Sequence, residues 1–271
     1  MTAPTISVVI ITLNEEAKIR RCLESVKWAD EIVIVDSGSI DDTLKICKEY
    51  RCRVFNHEWE GYARQKNFGI ESASADGWIL SLDADEEVTP ELADEIRAAL
   101  NSDDPADAYS MPRRNLFLGR WMRHGGWYPD RQVRLFRRGA GEFNDVPLHE
   151  HIVMRDRSAR IGSLANPILH YTYPTARDFI ERMNLYTSIE AAAMAKEGPP
   201  PIRRGGLLLS LAIAFPLKFA ETYIYKGGWR DGLHGFIAAV LMAARVFVRQ
   251  VKIWEASASA GGKGFGKRQA Q

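Results

Sequence analysis

The sequence predicts an α/β domain built on a mainly parallel β-sheet with helices on both faces, followed by C-terminal amphipathic helices. Three observations predict it. Apolar, β-branched runs alternate with amphipathic helical stretches through the first hundred residues, the pattern of a sheet covered on both sides. Those runs are continuous rather than alternating, as in strands buried on both faces. Three of them are followed at once by polar clusters, where open α/β sheets bind ligands.

Ile6 to Thr12 (ISVVIIT) is the first strand. Glu15 to Lys27 reads as a helix with Ile19, Cys22, Leu23 and Val26 on one stripe. Glu31 to Val35 is the second strand. Asp41 or Asp42 caps the next helix, whose inner face carries Leu44, Cys47 and Tyr50. Cys52 to Phe55 is a short third strand, Ala63 to Ser74 a helix, and Trp78 to Leu82 the fourth strand. Thr89-Pro90-Glu91 reads as N-cap, first-turn proline and first-turn acid of a helix burying Leu92, Ile96 and Leu100. Residues 103–175 read as short strands and loops over the sheet edge. Asp178 to Glu197 is a helix, ended by Gly198 and three prolines. Apolar segments follow at 206–225 and 231–254. The expected organisation is a catalytic domain over 1–175, a helical region over 176–255 and a disordered tail over 256–271.

The 271 residues are 46% hydrophobic and 26% charged, a globular mix. The net charge of +1 gives no general pull toward nucleic acid, and none is expected as a partner. Charge is nonetheless local: Arg113 to Arg138 holds eight arginines and one acid, Asp130. Cys22, Cys47 and Cys52 lack paired spacing and read as buried apolar residues in a reducing compartment. No basic leader precedes the first strand. The longest apolar run, Leu207 to Leu217, is shorter than the ~20 residues that span a bilayer.

The chemistry concentrates after the strands. Asp83-Ala84-Asp85 sets two carboxylates at i and i+2 beyond the fourth strand. Close like charges repel, and a divalent cation with a substrate diphosphate resolves the conflict; a solvated acidic turn is the plain alternative. Asp36-Ser37-Gly38-Ser39 combines a strand-end acceptor for a base or ribose with a glycine turn, and is equally an Asx turn. Asn14-Glu15 closes the first strand. On the helix before the fourth strand, Arg64 or Lys66 can meet a diphosphate and Asn67 a nucleotide.

In order and spacing, Ser7 to Glu16 (SVVIITLNEE), Val35 to Thr43 (VDSGSIDDT), Gln65-Lys66-Asn67 and Leu82 to Glu86 (LDADE) resemble glycosyltransferase family 2, inverting enzymes of the GT-A fold. Through Val35 to Ser39 and Trp59 to Asn67 the chain most resembles the lipopolysaccharide core glucosyltransferase branch. The resemblance implies a nucleotide-diphosphate sugar donor, UDP-glucose by analogy. It places Thr12, Asn14, Glu15, Asp36, Ser37, Gly38, Lys66, Asn67 and Asp83-Ala84-Asp85 around that donor. It gives Asp36 the nucleobase, Asp83 the ribose or metal, and Asp85 a Mg²⁺ or Mn²⁺ ion on the diphosphate. Many family members carry Asp-Asp where this chain has Asp36-Ser37, which leaves the donor base less defined.

Inversion requires a general base for the acceptor hydroxyl. Asn144 to His151 (NDVPLHEH) is its expected source; related enzymes carry a His-Glu there, which implies Glu150 first and Asp145 second, with His149 or His151 a further metal ligand or a diphosphate contact. Among the arginines, Arg131 and Arg134 are expected on the diphosphate, and Trp127 and Tyr128 can stack on a sugar ring. The last apolar segment sets Arg245, Arg249 and Lys252 opposite an apolar face, which reads as association with an anionic membrane surface, with an ordinary helix packed on the catalytic domain as the plain alternative. With the resemblance, this implies a lipid-linked saccharide acceptor at the cytoplasmic face of the bacterial inner membrane. A nucleotidyltransferase is the nearest enzymatic rival, but a basic glycine-rich loop is missing after the first strand, where Thr12 to Glu16 is acidic. A nucleotide-binding membrane scaffold without turnover is the rival of another class.

Overall fold

A computed structural model describes residues 4–196, apart from 75, 147 and 149, and residues 204–260. The chain divides into two compact units. One comprises residues up to Leu116 together with Tyr128–Thr172; the other comprises Phe117–Trp127 with the chain from Tyr173 onward. This differs from the expected boundary at 175, because the segment from Phe117 to Trp127 belongs with the C-terminal helices.

The first unit opens with β1 (Ile6–Thr12), α1 (Ile19–Val26), β2 (Glu31–Asp36), α2 (Thr43–Glu49), β3 (Arg53–Asn56), α3 (Tyr62–Ser72) and β4 (Trp78–Asp83). After β5 (Glu86–Val88) comes α4 (Pro90–Leu100), then β6 (Ala108–Phe117); β7 (Arg120–Trp121) falls in the second unit. The remaining strands are β8 (Asp130–Arg137), β9 (Gly141–Phe143), β10 (Ile152–Met154), β11 (Ile161–Ser163) and β12 (Ile168–Tyr173). The main sheet runs β3-β2-β1-β4-β8-β6-β12-β5. β3, β2, β1 and β4 are parallel, and β8 joins antiparallel to β4.

Alternate residues of each central strand serve opposite faces. Val8, Ile10, Ile34, Leu80 and Leu82 pack with Ile19, Leu23, Leu92 and Ile96 of α1 and α4. Val9, Val33 and Ile79 pack with Ala63 and Ile70 of α3 and with Phe143 and Ile152. The buried positions of β1 and β4 are apolar except for Ser7, Thr12 and Ser81. α3 lies close because Gly69 has no side chain; a Cβ there would fall 2.5 Å from Val9 Cγ1 and 2.9 Å from Val35 Cγ2. α4 starts where expected: the Thr89 hydroxyl accepts from the Leu92 N–H at 3.2 Å, with Pro90 in the first turn. α2 buries Thr43, Ile46 and Cys47, with Leu44 only half-buried.

The second unit contains α5 (Ala176–Lys196), α6 (Arg204–Phe219), a π-helical turn (Ala220–Tyr225), a 3-10 turn (Gly228–Asp231) and α7 (Gly232–Ala260). Thr175 and Asp178 cap α5 reciprocally: each backbone N–H is accepted by the other's side chain, at 2.8 and 3.1 Å. Trp127, expected against a sugar, instead packs beside Phe117 (5.7 Å) and Tyr173 (6.2 Å) in an aromatic core with Phe179. The cations of α7 also differ from expectation. Arg245 and Arg249 pair with Glu190 of α5 at 2.5 and 3.7 Å. Lys252 Nζ donates to Asn184 O, Thr187 Oγ1 and Ser188 Oγ. This face is thus a helix–helix contact. α7 stays helical to Ala260, five residues into the expected tail; residues 261–271 lie outside the described residues.

Candidate active site

Four consecutive residues of α3 reach four different places. Arg64 pairs with exposed Asp145 at 3.1 Å. Buried Gln65 donates to Ser37 Oγ at 2.5 Å, holding the loop after β2. Asn67 donates to the Phe143 carbonyl at 2.9 Å and accepts from the Phe143 N–H at 2.8 Å, fixing β9 against the helix. Lys66 Nζ lies between two carboxylates, 2.8 Å from Asp83 Oδ1 and 2.7 Å from Glu150 Oε1.

Glu150 is delivered by a hairpin. β9 and β10 pair antiparallel with Phe143 opposite Ile152. The connecting loop is closed at its base, where the Asn144 N–H donates to the His151 carbonyl (3.1 Å) and the His151 N–H to Asn144 Oδ1 (2.8 Å). Asn67 therefore anchors the strand that carries Glu150 toward the neighbouring Lys66.

The carboxyl end of β4 is held by a chain of charges. Arg134 reaches Asp83 Oδ2 at 2.8 Å and Glu86 Oε1 at 3.0 Å, and Glu86 Oε2 accepts from the Asp83 N–H. Arg113 joins Glu86 (3.5 Å) to Asp130 (2.6 Å). Burial pushes the Asp83 carboxyl up, but the Lys66 ammonium and the Arg134 guanidinium outweigh it and hold the group well below the usual carboxylate range. Burial likewise opposes the Arg134 charge, yet Glu86 and Asp83 raise it above the usual guanidinium value. Among the described residues, Arg134 Nε is buried with no hydrogen-bond partner, a donor suited to an anionic ligand.

Asp85, which is buried, faces His170 Nε2 across 3.5 Å. Asn115 Nδ2 donates to Asp130, so its Oδ1 turns to His170 Nδ1 at 2.7 Å. That contact makes Nδ1 a donor and leaves Nε2 as the ring nitrogen that faces Asp85. A carboxylate oxygen beside an imidazole nitrogen is a donor pair for a divalent cation. Among the described residues no group of three or more His, Cys, Asp or Glu side chains is gathered for a metal. Mg²⁺ or Mn²⁺ held by this pair would therefore take its other ligands from a diphosphate and water, as Mg²⁺ commonly does. Asp83 does not fit that role, since both its oxygens are engaged by cations.

The Glycosyl transferase family 2 model matches residues 7–161. The chain belongs to that family. It is 33% identical to the lipopolysaccharide core biosynthesis glycosyltransferase LpsC of Rhizobium meliloti, covering 92% of each chain. It is 31% identical to a glycosyltransferase of Rickettsia typhi, covering 93% of this chain and 87% of that one. Its fold resembles the mannosyltransferase PcManGT of Pyrobaculum calidifontis, solved with GDP-Man and Mn²⁺, with a TM-score of 0.53 at 17% identity (93% of this chain, 88% of that one). The mixed sheet is that of the GT-A glycosyltransferases.

Within this family-2 domain, Lys66, Asp83, Arg134 and Glu150 meet directly, and Asp85 follows through Ala84, which is buried. The loops after β1 and β2 brace one another. The Thr12 hydroxyl donates to Asp36 Oδ1 at 3.0 Å, Asn14 Oδ1 accepts from the Ile40 N–H, and the Glu15 N–H donates to Thr43 Oγ1. Asp36 spends its other contacts on the N–H groups of Gly38 and Ser39 and on the Ser39 hydroxyl. It is an Asx turn around Gly38, whose φ of +96° suits glycine. Arg131 stands apart, donating to the Ser110 and Leu164 carbonyls. Asp145 pairs with Arg64 and not with Lys66. Asn67 serves β9 through both faces of its amide. His149 lies outside the described residues. The roles of Glu86, Arg113, Asn115 and His170 were missed; Glu86 beside Glu87 in β5 and Arg113 beside Arg114 and Asn115 in β6 carry no local signal that sets them apart.

Proposed function

We propose that the chain is an inverting, metal-assisted transferase that moves a hexose from a nucleotide diphosphate to a lipid-linked saccharide, with UDP-glucose as donor and the lipopolysaccharide inner core as acceptor. The observation that carries this reading is Lys66, whose ammonium joins Asp83 at the end of β4 to Glu150 on the β9–β10 loop. One cation thus brings together the donor end of the sheet and a carboxylate able to act as base.

Thr12, Asn14, Asp36, Ser37 and Gly38 frame the base and ribose. Lys66 and Arg134 take the diphosphate charge, Arg134 through its unpaired Nε. Asp85 and His170 would hold Mg²⁺ or Mn²⁺, which when bound offsets the charge of the leaving diphosphate. Glu150 removes the proton of the acceptor hydroxyl on the face opposite the leaving group. The similarity to an enzyme of lipopolysaccharide core biosynthesis supports the acceptor class and a peripheral position at the cytoplasmic face of the inner membrane. Among the described residues, no helix is long and apolar enough to cross a membrane.

Thermal shift and nucleotide release with UDP-, GDP-, ADP- and dTDP-sugars, with and without Mn²⁺, test the donor site. The expected result is a metal-dependent response to a UDP-sugar that Asp85→Ala abolishes. An undiminished response in Asp85→Ala would remove Asp85 from the site.

A further inference from the structure

The cations expected to face a membrane are turned to α5, but exposed apolar side chains collect elsewhere in the same unit. The turn joining α6 to α7 and the helix ends beside it expose Leu217 of α6 (64%), Ile224 (64%), Tyr225 (87%) and Trp229 (55%) of the turn, and Leu233 of α7 (68%). A soluble surface leaves single apolar residues exposed; five large ones within seventeen residues mark a contact surface.

The turn is rigidly built, so this exposure is a property of its shape. Gly228 and Gly235 interlock, and a Cβ on Gly235 would fall 1.9 Å from the Gly228 carbonyl oxygen. Buried Asp231 accepts from the Arg123 and His124 N–H groups at 3.1 and 2.8 Å. Phe236, itself 44% exposed, packs on Phe219 and Tyr223 at 5.8 and 5.7 Å.

Charge selects the occupant. Lys218, Lys226 and Arg230 stand among the apolar residues, with Arg230 lying 5.4 Å from the Trp229 ring. The acid exposed with them, Glu221, is held between Lys218 (3.0 Å) and Lys226 (2.5 Å). The turn therefore presents apolar and aromatic side chains together with three cations against one exposed acid. A second copy of the same turn would be repelled, whereas an anionic lipid layer matches both features. In the other unit, exposed Ile40 and Trp59 are flanked in sequence by Asp41, Asp42, Glu58 and Glu60 and lack this match.

We infer that the α6–α7 turn is a docking surface for anionic lipid: its leucine, isoleucine, tyrosine and tryptophan side chains enter the headgroup layer while Lys218, Lys226 and Arg230 meet lipid phosphates. The inference rests on the lipid-linked acceptor only for why the enzyme visits a membrane; docking itself needs neither donor nor acceptor.

Co-sedimentation of the full chain with vesicles of phosphatidylcholine alone, or of phosphatidylcholine and phosphatidylglycerol in equal parts, tests it. The wild type is expected to bind the anionic vesicles, and less tightly as salt is raised. The triple variant I224S/Y225S/W229S and the single variant Arg230→Glu should each weaken capture at least about tenfold. Arg249→Gln, on the face turned to α5, should leave it unchanged. Trp229→Phe keeps the apolar bulk and should remove the vesicle-induced blue shift of fluorescence, a readout that holds if the triple variant fails to fold. Wild-type capture by the folded triple variant, loss of capture in Arg249→Gln, or no capture of the wild type would overturn the assignment. A dimer that the triple variant dissolves, without vesicle capture, would give the surface to a second copy. Donor-induced thermal shift without vesicles reads the active site separately, so failure of docking and failure of the transferase reading are distinguishable.

Discussion

Lys66 is nearly fully buried and faces two carboxylates, so its removal leaves like charges opposed without their shared cation. Lys66→Met should therefore cost about 3–5 kcal/mol in chemical denaturation; a loss below about 1 kcal/mol would mean that solvent screens the cluster. Glu31 offers a pH test remote from the chemistry. Burial pushes its carboxyl up, but Ser74, Ser7 and Arg53 donate to it and bring it down to about 2 from 4.5. A lowered folded value stabilises above the unfolded value and is lost as pH falls through the folded one. The stability gap between wild type and Glu31→Gln, about 1–3 kcal/mol at neutral pH, should narrow from pH 4.5 toward 2; a gap that is constant with pH would contradict this. Residue identities after β1, β2 and β4 were legible because a strand end fixes where a polar side chain must lie. His170 and Glu86 were not, since their partners are Asp85 and Arg134, distant in sequence.

At the scale of elements, α3 depends on Gly69 to approach β1 and β2. Gly69→Ala should destabilise by about 1–3 kcal/mol through overpacking against Val9 and Val35, measured by urea unfolding; a stabilised variant would show that the helix has room. Thr89→Ala should cost about 1 kcal/mol through the lost cap of α4. The first four strands and the capped α4 were readable because apolar runs and cap residues are local signals. α7 was misread for the complementary reason. An amphipathic helix states that it has two faces but not what covers each. Glu190 and Asn184, which claim its cations, lie on another helix more than fifty residues upstream. β5 was missed because three residues, Glu86–Val88, are too short to show a period.

Across the whole molecule, the α/β domain was legible, while the membership of Phe117–Trp127 in the helical unit was not. Its arginines and aromatics read equally well as ligand contacts, and packing on Tyr173 settles Trp127 otherwise. The family assignment fixes the reaction class, and the account of this chain turns on Glu150 as the base. The most direct test compares wild type and Glu150→Gln for sugar transfer from UDP-glucose to a lipopolysaccharide-core acceptor, alongside donor-induced thermal shift. An unchanged donor shift with transfer lowered about 10²–10⁴-fold is expected. Transfer within about threefold of wild type, with the donor still bound, would contradict it.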